Sequence, residues 1–408
     1  MIRDKAKMNA LFHILLLTLA GSFVYAMYSG IRGNYGIMLR SIIDHSGISF
    51  ASVSFILAVG QLIYGLVQPA FGILAAKYGS AVAFVSGMIL TVTGLFFVPY
   101  CKSPASLMLC LGIVLPAGTG AVSYGLVIGT VTPGLPPGTV PTISGVVNAS
   151  SGIGNTVLSP VIDRLIRIGG LPHSMRMLTI PTFLTLPVAL LMIRSRKSTR
   201  QVEEAENSAS PASTTKISAR EMLAPALRNK TYLRLMAGFF TCGFHMALIT
   251  NHLPTQIRSF GFSSEATAYA FSIYGIITMV SSIASGNLCG RFKMKTVLGC
   301  FYGLRPLTIL AFLLVPKTLF TVTLFTALFG ISGAATVPPI SGLVRKVFGI
   351  TSLATLYGFV FFIHQIGGFF GAWLGGLCYN LTGSYTGIWM VAAVFGAFAS
   401  IISFAVED

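Results

Sequence analysis

The segment RSRKSTRQVEEAENSASPASTTKISAREM, residues 194–222, divides the chain into two apolar blocks. It is charged, rich in Ser and Ala, and without apolar periodicity, which is typical of a polar linker that has no packed core. The sequence on either side is dominated by apolar runs. We therefore predict a first unit over residues 1–193, a cytoplasmic linker over 194–230 and a second unit over 231–408.

The composition excludes an ordinary soluble protein. Hydrophobic residues make up 54% of the chain and charged residues 9%, whereas charged residues approach about 25% in soluble domains. An apolar run of about 20 residues spans a bilayer as a helix, and this predicts an all-α membrane protein with six helices in each unit. The twelve runs cover residues 11–38, 50–76, 81–100, 106–130, 139–165, 174–193, 231–256, 267–289, 296–315, 319–343, 354–377 and 387–404.

The net charge of +17 is explained better by membrane topology than by nucleic acid. If the N-terminus is cytoplasmic, most basic residues of the short loops and all those of the linker fall on the cytoplasmic side. We therefore expect both termini in the cytoplasm and no binding to nucleic acid. The six cysteines are scattered without metal-ligand spacing, so we expect no metal site and no cofactor.

A weak internal repeat relates the two units. GILAAKYG, which begins at Gly72, follows the second apolar run, and GNLCGRFK, which begins 214 residues later at Gly286, follows the eighth. Gly154 and Gly368 have the same separation. Two matching offsets predict duplicated six-helix bundles with a pathway between them, although glycine-rich membrane helices can also match by chance.

These loop strings resemble the signature of the major facilitator superfamily, in which Gly-x-Leu-x-Asp-Arg-x-Gly joins the second and third helices. Four further segments resemble the bacterial monocarboxylate-porter-like branch of that superfamily: GIRGNYGIMLRSI (30–42), GLVQPAFGILAAKYG (65–79), GFFTCGFHMALITNHLPTQI (238–257) and TLYGFVFFIHQIGGFFGAWLGGLCYNLTGSY (355–385). The resemblance covers the chain except the linker. It implies two pseudo-symmetric six-helix bundles of the major facilitator fold, alternating access around a central site, and a protein that works as a monomer in the bacterial inner membrane.

The resemblance also implies a gating role for five loop residues: Gly72, Lys77, Gly79, Gly286 and Arg291. This chain has Ala76 and Gly290 where the family signature carries Asp. That Asp joins a cytoplasmic charge network in the family, so gating in this chain has to rely on other contacts.

Acidic residues are scarce, and all ten fall in predicted loops, tails or helix ends. Asp163, beside Arg164 and near Arg167, is expected in a solvated surface cluster. By contrast, Arg32 and Arg305 lie in apolar runs. A charged group at a membrane helix centre costs at least about 2.5–3.5 kcal/mol, so it usually faces the protein interior or a water-filled path. The sequence predicts no buried carboxylate to balance these two cations. This indicates that the substrate is an anion that supplies the missing negative charge.

Arg32 is the leading candidate for the substrate's counter-charge, because a guanidinium offers a rigid fork that matches a carboxylate and stays protonated. The resemblance supports this role, because Arg32 falls at or beside a helix-one lysine found in several monocarboxylate porters. Its side chain could instead reach the outer headgroups. Arg305 could help to neutralise the substrate, or it could satisfy carbonyls around Pro306, where the helical hydrogen-bond ladder is interrupted.

Polar groups on helices expected to line the cavity complete the predicted site. Asn34, Tyr35, Tyr124 and His245 would shape the substrate pocket, although each could instead be a contact between helices. His245 and His364 titrate near neutrality, so they are candidates for proton coupling. A neutral histidine that is hydrogen-bonded between helices is the alternative.

The sequence contains no nucleophile–base constellation and no phosphate loop, so we expect no enzyme activity. It predicts a secondary active transporter that moves a small organic anion, a mono- or dicarboxylate, by alternating access with proton symport. Its partners would be that anion, protons and the lipid bilayer. Efflux of neutral or anionic drugs or metabolites, and anion exchange, are the alternatives. A sensor that signals through the linker is disfavoured, because the linker has no folded module.

Overall fold

The computed structural model describes residues 2–132, 139–206 and 219–408, which are almost entirely helical. Two π-helical segments, Met108–Val114 and Leu248–His252, separate α5 from α6 and α10 from α11. The predicted linker is described only in part, because residues 207–218 lie outside these ranges. The sixteen α-helices of the described ranges are α1 (Ile2–Gly33), α2 (Tyr35–Ser46), α3 (Phe50–Tyr78), α4 (Ser80–Phe97), α5 (Pro104–Leu107), α6 (Leu115–Ala121), α7 (Tyr124–Val131), α8 (Val140–Glu206), α9 (Ala219–Ala226), α10 (Lys230–Ala247), α11 (Leu253–Ser259), α12 (Ser264–Cys289), α13 (Met294–Leu314), α14 (Leu319–Ser332), α15 (Val337–Thr382) and α16 (Thr386–Phe404).

Eleven helical segments of the described ranges are long and apolar enough to cross a membrane. One of them, Ile143–Arg194, has 52 residues and would be roughly 78 Å long as a straight helix, more than twice the hydrocarbon thickness. It belongs to α8, which is bent by the non-helical residues Gly169 and Gly170. This segment therefore accounts for two crossings, and the prediction of twelve membrane helices is confirmed.

In each half of the molecule, a glycine of the internal repeat lies where two helices are in close backbone contact; α1–α8 form the first half and α10–α16 the second. Where α1 crosses α8, a Cβ on Gly30 would lie 2.8 Å from the backbone of Gly154. Where α10 crosses α15, a Cβ on Gly243 would collide with the carbonyl of His364 and lie 3.0 Å from the amide nitrogen of Gly368. Small residues permit this approach. The glycine pair of the internal repeat, Gly154 and Gly368, thus lies at equivalent crossings.

The two halves meet along two seams, α3 against α15 and α8 against α12. On the α3–α15 seam, the contacts run from Ser54 and Gly376 to Gly65 and Gln365. Beyond Gly65, α3 is described throughout and has no buried residue up to its end at Tyr78. This seam is therefore closed toward the face that carries α2 and uncovered toward the opposite face.

Candidate functional site

Arg32 lies at the α3–α15 seam, where it contacts both halves. Its Nη2 donates to Gln61 Oε1 at 2.5 Å and to Gln365 Oε1 at 3.4 Å. Its guanidinium carbon lies 4.0 Å from the centre of the Tyr64 ring. The side chain is half-buried, and none of the described carboxylates forms an ion pair with it. Among the described residues, its charge is therefore balanced only by neutral amide oxygens and an aromatic face.

A break in the first apolar run positions Arg32. The run over 11–38 is not one helix, because α1 ends at Gly33 and α2 begins at Tyr35. A Cβ on Gly33 would collide with the side chain of Asn155, so α1 passes this point in direct contact with α8. Arg32 is therefore presented from the last turn of a helix whose end is fixed against its neighbour.

The predicted pocket residues Asn34 and Tyr35 are enclosed at this break. Both are buried. The Nδ2 of Asn34 donates to the Gly30 carbonyl at 2.7 Å, and its Oδ1 accepts from Ser159 Oγ at 2.6 Å. One bond satisfies a carbonyl at the end of α1, and the other ties the break to α8. Asn34 is thus well placed to hold the backbone beside Arg32.

Tyr124, another predicted pocket residue, follows a break in the fourth membrane helix. α6 ends at Ala121 and α7 begins at Tyr124. The Tyr124 hydroxyl donates to the Ser144 carbonyl at 3.1 Å, and its ring centre lies 5.7 Å from that of Tyr25 on α1. The side chain is half-buried. Its contacts join α1, α7 and α8 inside the first half.

Arg305 lies in the interior of the second half and is 0% exposed. Its Nη2 donates to the Ser332 carbonyl at 2.7 Å and to Cys242 Sγ at 3.3 Å, and its Nε donates to Ser332 Oγ at 3.2 Å. Its Nη1 lies 3.3 Å from His245 Nδ1. These acceptors belong to α10 and α14 rather than to the carbonyls around Pro306. All three guanidinium nitrogens are thus hydrogen-bonded within one half.

His245 completes this buried group. Its Nε2 lies 2.7 Å from the Ala392 carbonyl. A carbonyl only accepts hydrogen bonds, so Nε2 carries the ring proton and Nδ1 accepts from Arg305. A second proton on Nδ1 would point at the guanidinium. The geometry therefore favours a neutral imidazole that joins α10, α13 and α16.

His364, the other predicted proton-coupling residue, lies beside the Arg32 cluster. It is half-buried, and its Nδ1 is 3.3 Å from the same Gln365 oxygen that faces Arg32. Its ring stacks on Phe361, with centres 5.5 Å apart and an interplanar angle of 6°. The structure thus brings His364 to Arg32 through Gln365 and groups His245 with Arg305.

The loop residues assigned to gating lie at exposed positions. Gly72 and Gly286 have open space where a Cβ would be, and Gly79 ends α3 with a φ of +93°, which favours glycine. Lys77 and Arg291 are exposed. None of the described carboxylates pairs with either of them.

Sequence reasoning overlooked Gln61 as a site residue. It interrupts the apolar string FILAVGQLIYGL, and a lone polar side chain in such a run is a signal of the same kind as a lone arginine. Its carboxamide is 5% exposed and makes the shorter of the two contacts with Arg32. The rule that selected the arginines could have found it.

The expectation of a solvated surface position for Asp163 is wrong. Asp163 is 3% exposed and accepts from Arg167 Nε at 2.9 Å. Arg167 Nη1 also lies 3.7 Å from Glu265 Oε2 of the second half. Asp163 and Arg167 line a pocket of about 140 Å³ together with residues of α2, α11 and α12. Asp163 is buried because α2 of the first half and α11 and α12 of the second pack around it, shortly before the bend of α8 at Gly169.

Comparison with known proteins identifies the family. The model of the Major Facilitator Superfamily matches residues 21–304 and 236–408. Human monocarboxylate transporter 12 is 24% identical over 380 residues, which cover 86% of this chain and 72% of that protein. Monocarboxylate transporter 13 of Bos taurus is 22% identical over 400 residues, covering 93% and 86%.

A solved structure supports the same fold. The crystal structure of a D-xylose–proton symporter superposes with a TM-score of 0.74 at 11% sequence identity, and the match covers 98% of each chain. At this identity the likeness concerns the fold alone. Together with the family match and the twelve helices in two repeated halves, it shows that the chain belongs to the major facilitator superfamily of membrane transporters and resembles its monocarboxylate-porter branch.

Proposed function

We propose that the protein is a secondary active transporter for small organic anions that carry a carboxylate, with Arg32 as the carboxylate-binding residue. One observation carries the proposal: Arg32 is a half-buried cation between the two halves, and its described partners are neutral. A carboxylate would provide a charge-assisted, two-oxygen acceptor that suits the guanidinium fork. In alternating access the substrate binds between the two halves, and Arg32 lies between them.

The relatives support a carboxylate as the substrate class. Two of them are named monocarboxylate transporters and match most of the chain. In this proposal Arg305 does not bind the substrate, because all three of its guanidinium nitrogens are hydrogen-bonded within the second half. The transporter would work as a monomer in the bacterial inner membrane, with both termini in the cytoplasm.

Proton symport is the proposed source of energy. His364 is the preferred proton carrier, because its ring is half-buried and contacts the carboxamide that faces Arg32. A proton bound there would add positive charge beside the substrate's carboxylate. His245 is less suited to this task, because both of its nitrogens are already engaged.

Ligand-induced stabilisation tests the substrate class. Purified protein would be unfolded thermally with acetate, succinate and benzoate, and with acetamide and benzamide as neutral controls. A ligand that binds only the folded state stabilises it by about 2.7 kcal/mol at 100 times its Kd. We expect carboxylates to stabilise the wild type and the exposed-arginine control Arg176→Gln, but not Arg32→Gln. A response that persists in Arg32→Gln, or a response to organic cations alone, contradicts the proposal.

Uptake into proteoliposomes tests the coupling. We expect an inwardly directed proton gradient to drive accumulation of labelled succinate or benzoate in the wild type and not in Arg32→Gln. Uptake that requires a preloaded internal anion and ignores the proton gradient would indicate anion exchange. Transport of neutral compounds without carboxylates would favour the efflux alternative.

A further inference from the structure

Gln61 and Gln365 pack reciprocally across the α3–α15 seam. The Cγ of Gln365 would lie 2.9 Å from a Cβ placed on Gly65 of α3. In return, a Cβ on Gly368 of α15 would lie 3.6 Å from the Cβ and Cγ of Gln61. Each glutamine therefore lies on a glycine of the facing helix. A side chain at Gly65 would push against Gln365, and a Cβ on Gly368 would be in van der Waals contact with Gln61, so this packing holds both carboxamides close to Arg32.

The two carboxamides present their oxygens to a single donor. Gln61 Oε1 is 2.5 Å and Gln365 Oε1 3.4 Å from Arg32 Nη2. Gln61 belongs to the first half and Gln365 to the second. The guanidinium is thus a bridge between the halves, and its acceptors are two neutral oxygens. A carboxylate would compete well with them, because hydrogen bonds to an ionised acceptor are shorter and stronger than those to an amide.

Gln365 also has a donor without a partner. Its side chain is 0% exposed, and Nε2 has no hydrogen-bond partner among the residues that the structure describes. Buried amide donors are nearly always paired. The Oε1 of the same carboxamide faces Arg32, so the unpaired Nε2 lies next to the position where an anion would meet the guanidinium.

We infer that Gln61, Arg32 and Gln365 form a clasp between the halves that the substrate's carboxylate displaces. One carboxylate oxygen takes the Arg32 Nη2 hydrogen bond from the glutamine oxygens, and the other accepts from Gln365 Nε2. The inference rests on the proposed function and adds to it. Gln365 becomes a specificity residue that selects anions with two oxygens in one plane, and the empty transporter is held by a bridge that loading removes.

The replacement Gln365→Glu tests the clasp by supplying a carboxylate from the protein itself. We expect the ligand-free variant to unfold at a higher temperature than the wild type, because the new carboxylate pairs with Arg32. Acetate, succinate and benzoate should then need at least a tenfold higher concentration to stabilise the protein, about the effect of one hydrogen bond to a charged group. The control is Asn148→Asp, because Asn148 Nδ2 donates to Ser282 Oγ at 3.3 Å across the other seam; it should respond to ligands like the wild type.

A second replacement, Gln365→Met, keeps the length of the side chain and removes its donor. We expect carboxylate affinity to fall by about tenfold without any added charge. If Gln365→Glu has no cooperative unfolding transition, Gln61→Glu supplies the carboxylate from the first half and should show the same stabilisation and the same loss of response. Carboxylate responses equal to those of the wild type in the Glu and Met variants would overturn the clasp.

The clasp and the proposed function can fail separately. The clasp predicts that Gln365→Glu raises the unfolding temperature only when Arg32 is present, and this comparison of four ligand-free proteins needs no substrate. If the rise is the same in the Arg32→Gln background, the clasp is wrong even if carboxylates bind. If the rise depends on Arg32 but no carboxylate stabilises the wild type, the clasp stands and the substrate class is wrong.

Discussion

Arg32 and Arg305 give the same signal in the sequence, a lone arginine in an apolar run, yet their surroundings differ. Arg305 is fully enclosed and bonded to groups of a single half. Arg32 is half-buried, and its two amide acceptors come from opposite halves. Neither pairs with any of the described carboxylates. The two arginines therefore differ in the groups that accept their hydrogen bonds, whereas neither is balanced by a described carboxylate.

The comparison shows how a buried cation can be structural or functional. In the proposed alternating-access cycle the partners of Arg305 would move with it, because they belong to the same half, so it could keep every hydrogen bond. Arg32 has to exchange at least one acceptor whenever the seam opens, because Gln365 belongs to the other half. A cation that exchanges partners can exchange one of them for a substrate.

The largest expected effect is on stability, in Arg305→Ala. The replacement leaves the Ser332 carbonyl and His245 Nδ1 without their donor inside a closed interior. A buried acceptor that loses its donor costs about 1–3 kcal/mol, so the loss of the donors to these two acceptors should destabilise the protein by about 2–6 kcal/mol. Thermal and denaturant unfolding in detergent would measure it. Arg32→Ala should cost about 1 kcal/mol, close to one net hydrogen bond. Equal losses in the two variants would remove the distinction between the arginines.

Replacement of either arginine by lysine tests the same comparison with smaller expected effects. A lysine keeps the charge and loses the planar fork. Arg305→Lys should still destabilise by about 2 kcal/mol, because one ammonium cannot replace the donors that three nitrogens give to Ser332, Cys242 and His245. Arg32→Lys should remain stable and lose about tenfold in carboxylate affinity, the equivalent of one charged hydrogen bond. Wild-type affinity in Arg32→Lys would mean that the fork is not used.

The two predicted proton-coupling histidines extend the comparison to pH. His245→Gln should destabilise by about 1–2 kcal/mol through its lost bonds to Arg305 and Ala392 and leave the pH profile of uptake unchanged. His364→Gln should alter that profile and change stability less than His245→Gln does, because the His364 ring is half-buried and its contact with Gln365 is long, at 3.3 Å. Uptake by both variants over a series of external pH values measures this. A shifted profile in His245→Gln alone would reverse the assignment.

Much of the fold could be predicted because membrane helices are defined by length and apolar composition. The runs were long enough to count, and the offset that joins Gly154 to Gly368 reflects the equivalent helix crossings where both glycines lie. The break at Asn34 was missed, because a turn between two apolar helices leaves no change in hydropathy.

The site could be predicted only in part, because helices that are apolar on all sides show no stripe that indicates which face meets the other half. Arg32 and Arg305 were therefore equivalent in the sequence. Asp163 was placed in solvent because it lies near a helix end, and its burial depends on α2 and α12, which are distant in the chain. Contacts with helices that are distant in the chain decide all three cases, and the sequence of a single helix carries no record of them.

The smallest expected effect comes from weakening the hydrogen bonds that hold the backbone beside Arg32. Asn34→Ala removes the bonds to the Gly30 carbonyl and from Ser159, so we expect a loss of about 1 kcal/mol in stability and a decrease of a few-fold in carboxylate affinity. Ser159→Ala removes the bond that ties the break to α8, together with the contact of Ser159 Oγ with the Asn155 carbonyl one turn earlier, and leaves the bond of Asn34 to Gly30 in place. It should show the same two effects at a reduced size. Unfolding and ligand titration of both variants distinguish positioning from contact. If Asn34 bound the substrate directly, Asn34→Ala would lose much more carboxylate affinity than its small loss of stability explains. Ser159→Ala would then keep its carboxylate affinity.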